Sequence, residues 1–230
     1  MQLACDTVAP TWAVPPAYRL PPGQATVYRL AVPPAGAVPG LHLLPPPELA
    51  RAARFHHAAD ARRYLAARVL RRRVLGAYTS LDPAKLVFAA TDAHKPYLPA
   101  APGLHFSVAH AGAWVLLGVA GAALGLDVEP LQAALALPEL LHGSFSATES
   151  QYLGRHPTLL PAAWTRKEAL AKALGWGIDE RFAELPGLPG QYVLPGPGQW
   201  QVSGFELAAG YVGAVAYQPG TRLRWADAQL

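Results

Sequence analysis

The sequence predicts an α/β (α+β) fold made of two similar α/β subdomains meeting near residue 124. Three observations carry this. The chain alternates strand-like and helix-like periods in the order strand, helix, hairpin, then strand, helices, hairpin. At 230 residues it suits one large domain or two small ones packed together. Hydrophobic residues make up 52% and charged residues 15%, enough apolar surface for a sizeable core. We therefore expect an N-terminal unit over 1–124 and a C-terminal unit over 125–230, although no internal sequence repeat proves a duplication.

Taken in chain order, residues 9–47 are proline-rich, with "ATVYRLAV" as one short strand, and should form ordered, edge-like structure. From Glu48 to Ala77 the spacing of Phe55, Leu65, Val69, Leu70 and Val74 predicts one long Arg-rich helix with a break near Asp60. "HKPYLP" is a loop by its prolines, and "LHFSVAH" and "AWVLLGVA" form a hairpin around a short "AGA" turn. "GLDVEP" is a strand closed by Pro130. "SATESQYL" opens a helix on a Ser cap, and "PAAWTRKEALAKAL" is the next helix, ending at Gly175. "GQWQVSGFELAAGYVGAVAYQ" reads as a terminal antiparallel pair.

The bulk numbers exclude several classes. The longest uncharged apolar run, 113–126, is too short and too glycine-rich to span a membrane. Cys5 is the only cysteine, so no internal disulfide can form; with no signal peptide in view, a cytoplasmic location is expected. Nothing demands an oligomer, and a monomer is expected. The formal charge of +4 is unevenly placed, with eight arginines between Arg51 and Arg73, which points toward phosphate on a nucleic acid or a small molecule.

Two stretches carry chemistry. In a helix, Trp164, Glu168 and Lys172 fall within about 80° of one another, with Leu170, Ala173 and Leu174 opposite. Alone, Glu168 and Lys172 would be a surface pair contributing about 0.2–0.5 kcal/mol. The tryptophan on the same face argues for a cleft wall instead. In "GLDVEP", strand alternation puts Asp127 and Glu129 on one face, where two carboxylates repel unless a cation compensates. With Glu168 they offer three hard oxygen ligands of the kind Mg²⁺ prefers. The eight histidines show no ligand spacing, so a His or Cys metal site is not supported. By themselves, His110 at a strand end and Lys95 in its loop read as an ordinary core histidine and a solvated lysine.

Taken together and in order, "RFHHAADAR", "HKPYL", "FSVAH", "LGLDVEP", "FSATE" and "WTRKEALAK" resemble the signature blocks of the Sfp-type 4'-phosphopantetheinyl transferases over roughly residues 51–176. "GYVGAVAY" looks like that family's last strand. The resemblance implies two halves related by a pseudo-twofold axis, with coenzyme A in the cleft between them. The implied reaction moves phosphopantetheine from coenzyme A to a serine of an apo acyl or peptidyl carrier protein and releases 3',5'-ADP. It further implies that Asp127, Glu129 and Glu168 hold Mg²⁺, or Mn²⁺, that Glu168 accepts the serine proton, and that Lys172 contacts the pyrophosphate. Arg51, Arg63, Lys95 and His110 then match positions that bind coenzyme A, with Arg51 and Arg63 at its 3'-phosphate end.

The chain departs from the family pattern in having Ala109 where a serine usually precedes the histidine, and Glu48 where a basic residue could assist the nucleotide. Glu149 matches the "F-S-x-T-E" block, without an assigned role. Two other functions compete: a non-catalytic coenzyme A or nucleotide-binding protein of the same fold, and a nucleic-acid module built on the Arg-rich helix. The second would need basic residues spread over an extended surface, so no specific nucleic acid and no membrane is expected as partner.

Overall fold

The computed structural model describes residues 1–13, 18–132, 143–177, 180–194 and 198–230. The first helical region forms because Ala, Arg and Leu are strong helix formers and no Gly or Pro intervenes before Gly76. It is two helices, α1 (Pro46–Ala52) and α2 (Ala58–Thr79). The break lies at residues 53–57, ahead of the expected one, and Asp60 sits in the first turn of α2, where a carboxylate favours the helix N-terminus. Two later helices follow, α3 (Ala147–Arg155) and α4 (Leu160–Leu174). Ser146 caps α3 in a capping box with Glu149, Pro161 opens α4, and Gly175, at φ +73°, ends it in the left-handed conformation.

Twelve strands are assigned among the described residues: β1 (Gln2–Thr7), β2 (Trp12–Ala13), β3 (Gln24–Ala31), β4 (Ala89–Ala90), β5 (Pro96–Tyr97), β6 (His105–Ala111), β7 (Trp114–Ala120), β8 (Gly125–Pro130), β9 (Gly190–Val193), β10 (Gln199–Ala208), β11 (Tyr211–Tyr217) and β12 (Arg222–Asp227). They form two five-stranded sheets, in the orders β8-β11-β10-β1-β9 and β2-β12-β3-β7-β6, plus the β4-β5 pair. The same antiparallel pattern recurs in each: β3 with β7 and β7 with β6, then β8 with β11 and β11 with β10. This is the strand, helix, hairpin order read from the sequence.

The termini complicate a division at residue 124. β1 pairs parallel with β10 inside the second sheet, and β12 pairs parallel with β3 inside the first. Each half therefore lends a terminal strand to the other. The N-terminal stretch supplies an interior strand, lying between β10 and β9, and "GYVGAVAY" (β11) is followed by one strand more. Cys5 lies in this buried strand, and burial pushes its thiol up to about 12.

Three cores result. Helix α2 packs Val69, Leu70, Val74 and Leu75 on the first sheet, and α4 packs Ala169, Leu170 and Ala173 on the second. Between the sheets, Val27, Leu116, Leu126 and Val215 are fully buried, each stabilising by about 1.5–3 kcal/mol. Trp12, Phe205 and Trp225 close this central core edge-to-face, and Arg29 lies 4.3 Å above the Trp12 ring while bonding Asp227 and the Leu207 carbonyl.

Part of the arginine cluster is scaffold rather than surface. Arg71 and Arg72 are buried, and Glu48 accepts hydrogen bonds from Arg71 at 2.9 Å and Arg72 at 3.2 Å. Arg72 also donates to the carbonyls of Pro83 and Leu86, and Arg71 lies 3.7 Å above the Phe88 ring. Glu48, the apparent departure among the nucleotide contacts, is the counter-charge of this buried pair.

Gly125 decides how closely α4 approaches β8. A Cβ there would collide with the Ala169 carbonyl and lie 2.5 Å from the Ala173 nitrogen, so helix backbone rests directly on strand backbone. Gly125→Ala should lower stability by at least about 2–3 kcal/mol, the upper range for overpacking, read as a fall in the urea midpoint; an unchanged midpoint would contradict this contact.

Candidate active site

The site forms where α4 crosses the end of β8. Strand alternation turns Asp127 and Glu129 to the face that α4 covers, and helical spacing points Glu168 and Lys172 back at them. The Lys172 ammonium donates to Asp127 Oδ1 at 2.6 Å and stands 3.4 Å from Glu168 Oε2, with 34% of its side chain still exposed to the cleft. Burial pushes the Asp127 carboxyl up to about 7; Lys172 opposes this, while Glu168 and Glu129 add to it. Burial and Glu168 likewise raise Glu129, against Lys172. Burial alone would pull Lys172 down, but Asp127 and Glu168 outweigh it and hold the ammonium above its ordinary value.

This is a site with an excess of negative charge: two carboxylates, Asp127 and Glu168, meet one ammonium, and Glu129 acts on them at longer range. Asp127 Oδ2 is buried and has no hydrogen-bond partner. An orphaned carboxylate oxygen beside two further carboxylates is what a divalent cation would satisfy, and all three donors are hard oxygens. Among the described residues no group of three or more His, Cys, Asp or Glu side chains is arranged to hold a metal ion. The chemistry of the donors, all hard oxygens with one of them unpartnered, still fits an ion such as Mg²⁺, which keeps few protein ligands and leaves the rest of its shell to water and substrate oxygens.

His110 ends β6 beside this group and stays accessible. Desolvation by the cleft wall, and then the positive charges of Arg63, Lys172 and Arg68, hold its imidazole below the usual value. Arg63 reaches across to the Gly112 carbonyl at 3.3 Å while pairing with Asp60. Neutral imidazole and guanidinium thus line one wall of the cleft. A cavity of about 270 Å³ between Lys95, Ser107, Glu168, Ala171 and Lys172 continues it on another side.

Two further expected residues, Lys95 and Arg51, lie apart from the carboxylates. Lys95 borders that cavity, but its ammonium donates to the Leu124 carbonyl at 3.1 Å and the Ala173 carbonyl at 3.4 Å, tying its loop to the inter-sheet crossing and to the C-terminal turn of α4. Arg51 is not brought to the carboxylates: it lines a separate groove with Pro47, Ala50, Arg54 and Phe55, its guanidinium 5.7 Å from the Tyr64 ring. The site as assembled contains Asp127, Glu129, Glu168 and Lys172, with His110 and Arg63 at longer range.

Trp164 is not a wall for Glu168. Its ring packs 5.3 Å from Phe182 and 6.4 Å from Phe145, as part of the core. The neighbouring Lys167, which spacing alone left unremarked, is fully buried; it donates to the Ala183 and Leu185 carbonyls and lies 3.6 Å from Glu149. Glu149 in turn accepts from the Gly187 N–H at 2.7 Å. Glu149 therefore caps α3 and anchors the 182–187 loop away from the carboxylates. The signal was present: Leu160, Ala163, Lys167, Leu170 and Ala171 form one buried helical stripe, with a lysine inside it. Ser107 Oγ accepts from the Leu126 N–H at 3.0 Å, fastening β6 to β8.

Comparisons with known proteins point to one enzyme family. A model described as the N-terminal part of 4'-phosphopantetheinyl transferase matches residues 38–122, and the 4'-phosphopantetheinyl transferase superfamily model matches residues 123–203. The chain is 32% identical over 131 residues to a 4'-phosphopantetheinyl transferase of Bacillus subtilis, covering 55% of this chain and 58% of the relative. It is 35% identical over 136 residues to 4'-phosphopantetheinyl transferase psf-1 of Bacillus pumilus, covering 56% and 57%. With 4'-phosphopantetheinyl transferase HetI of Nostoc sp. it shares 34% over 140 residues, covering 57% and 59%. The chain thus spans somewhat under three-fifths of the length of these curated relatives.

The lysine staple has a measurable pH signature. Burial lowers Lys95 from 10.5 to about 8. Below pH 8 the folded and unfolded chains both hold the proton; between about 8 and 10.5 the folded chain has shed it while the unfolded chain keeps it. Wild type should therefore gain stability relative to Lys95→Met as pH rises through that window, read from urea midpoints at pH 7 and pH 10. A constant difference would contradict the buried placement. With Asp127, Glu129, Glu168 and Lys172 gathered at the crossing of β8 and α4, and both halves matched by models of one enzyme family, the chain belongs to the 4'-phosphopantetheinyl transferase superfamily, on its Sfp-like side.

Proposed function

We propose that the chain transfers the 4'-phosphopantetheine group of coenzyme A to a serine of an apo carrier protein, in a Mg²⁺-dependent reaction that releases 3',5'-ADP. The observation that carries this reading is the buried Asp127, with one oxygen on Lys172 and the other unpartnered, facing Glu168 across the same ammonium. Phosphoryl transfer needs a positioned hydroxyl, neutralisation of equatorial charge and help for the leaving oxygen. Asp127, Glu129 and Glu168 would hold the ion, which when bound supplies positive charge to the diphosphate oxygens.

The chain's own residues do the rest. Glu168 accepts the proton of the carrier serine, directly or through water, as its oxygen attacks the phosphorus that bears the pantetheine. The bond from that phosphorus to the bridging oxygen breaks, and Lys172 neutralises the oxygen that leaves with 3',5'-ADP. His110 and Arg63 hold phosphate oxygens of coenzyme A, and neutral imidazole can donate one N–H there. All these residues come from one chain, so a monomer suffices, and we read the enzyme as cytoplasmic. Among the described residues no helix is long and apolar enough to cross a membrane.

The nucleic-acid reading loses part of its surface, because two of the eight clustered arginines, Arg71 and Arg72, are buried against Glu48. A binding protein without catalysis is separated by one experiment: incubate the protein with coenzyme A, Mg²⁺ and a panel of apo carrier proteins, then weigh the carriers. A phosphopantetheine mass gain on at least one carrier is expected, and none on any carrier despite measurable coenzyme A binding would refute the transferase. Asp127→Ala should reduce turnover by about 100-fold or more with the fold intact by circular dichroism; near-normal turnover at saturating Mg²⁺ would reject the metal assignment. Lys172→Ala should lower kcat more than it weakens coenzyme A binding, and a pure loss of affinity would argue against the leaving-group role.

A further inference from the structure

The tip of the β6–β7 hairpin, residues 111–113 with the turn itself at 112–113, follows His110 and is held by three anchors. Arg63 donates to the Gly112 carbonyl, the Val32 N–H donates to the Ala113 carbonyl at 2.8 Å, and the Ala113 N–H donates to the Tyr211 hydroxyl at 3.3 Å. Of these three, only Tyr211 comes from the second half. Its backbone is fixed as well: Tyr211 pairs with Pro130 and Val212 with Glu129, so the ring projects from the strand position beside the carboxylate end of β8. Gly112 is left-handed at φ +50°, and a Cβ on it would clash with the Tyr211 hydroxyl and lie 2.9 Å from two ring carbons. Turn and ring are therefore fitted to each other at contact distance, with no room for a side chain between them.

We propose that Tyr211 is a positioning residue for the 3'-phosphate end of coenzyme A. Its hydroxyl fixes the 111–113 tip against the β8 end, and thereby sets where Arg63, bonded to the same tip, and His110, just before it, stand relative to Lys172 and Glu129. The inference rests on the proposed reading of Arg63 and His110 as phosphate contacts. The Tyr211 hydroxyl bonds the turn and not the carboxylates, so its effect should be selective: a turn free to shift moves the phosphate contacts while Asp127, Glu168 and Lys172, held by β8 and α4, stay in place.

The test uses Tyr211→Phe, which keeps the ring and removes the hydroxyl, and Gly112→Ala, which displaces the turn from the other side. Three readouts are compared with wild type: amide hydrogen exchange over residues 110–114, equilibrium binding of coenzyme A and of 3'-dephospho-coenzyme A by calorimetry, and KM against kcat in the carrier assay. For Tyr211→Phe we expect faster exchange in the turn, an unchanged melting temperature, and a coenzyme A Kd raised by about three- to tenfold, the size of one lost hydrogen bond. The Kd for 3'-dephospho-coenzyme A should move less than about twofold, and KM should rise while kcat holds, as for lost uniform binding. Gly112→Ala should shrink the same preference for the 3'-phosphate.

An unchanged ratio of the two affinities in both variants, with wild type binding coenzyme A, overturns the positioning role and leaves the transferase standing. So does an equal loss of both affinities with a lowered melting temperature, which is the behaviour of simple packing. Wild type that binds neither compound overturns the proposed function and this inference with it.

Discussion

The site depends on one close approach, that of α4 to β8 at Gly125. With no Cβ in the way, the helix backbone at Ala169 and Ala173 rests on the strand itself. That distance brings Lys172 within a hydrogen bond of Asp127 and keeps Glu168 beside both. It also sets the helix deep enough that ten of its residues are buried, Arg166 and Lys167 among them. A helix held one side chain further out would present Glu168 and Lys172 as an exposed pair of small energetic weight.

The two sheets are held against each other by several independent devices. The exchange of β1 and β12 runs the chain ends into opposite sheets, so separating the halves would break strand pairing as well as side-chain packing. Ser107 fastens β6 to β8, and Lys95 fastens the loop after β4 to Leu124 and to the end of α4. Phosphoryl transfer by positioning and electrostatics tolerates little movement between its parts. A junction fixed at so many points is consistent with that demand.

Much of the charge in this chain is scaffold. Glu48 neutralises Arg71 and Arg72, Glu149 stands by Lys167, and Arg166 is spent on the carbonyls of Ala162, Gly187 and Asp6 and the hydroxyl of Thr7. Buried charges of this kind cost several kcal/mol if one partner is removed, which ties loops such as 182–187 firmly to their helices. Against that background Asp127 differs in its surroundings: Arg71 and Arg166 also leave a buried Nε unpartnered, but the unpartnered Asp127 oxygen belongs to an anion whose carboxyl is pushed up further by Glu168 and Glu129.

By itself the sequence determined the elements that depend on local spacing. The α/β class, the β6–β7 and β10–β11 hairpins, the Ser146 cap, the Gly175 stop and the shared face of Asp127 and Glu129 all follow from periods of 2 and 3.6 and from cap chemistry. It also marked Glu168 and Lys172, because a fixed spacing of four residues survives whatever the helix packs against. Tertiary structure decided what no local pattern encodes. That β1 would sit inside the distant sheet depends on pairing with residues nearly two hundred positions away. That Lys95 would hold carbonyls, that Arg51 would lie apart from the carboxylates, that Trp164 would join the core and Lys167 be buried, all depend on which surfaces meet. A side chain's charge is written in the chain; its counter-charge and its access to water are set only when two halves close around it.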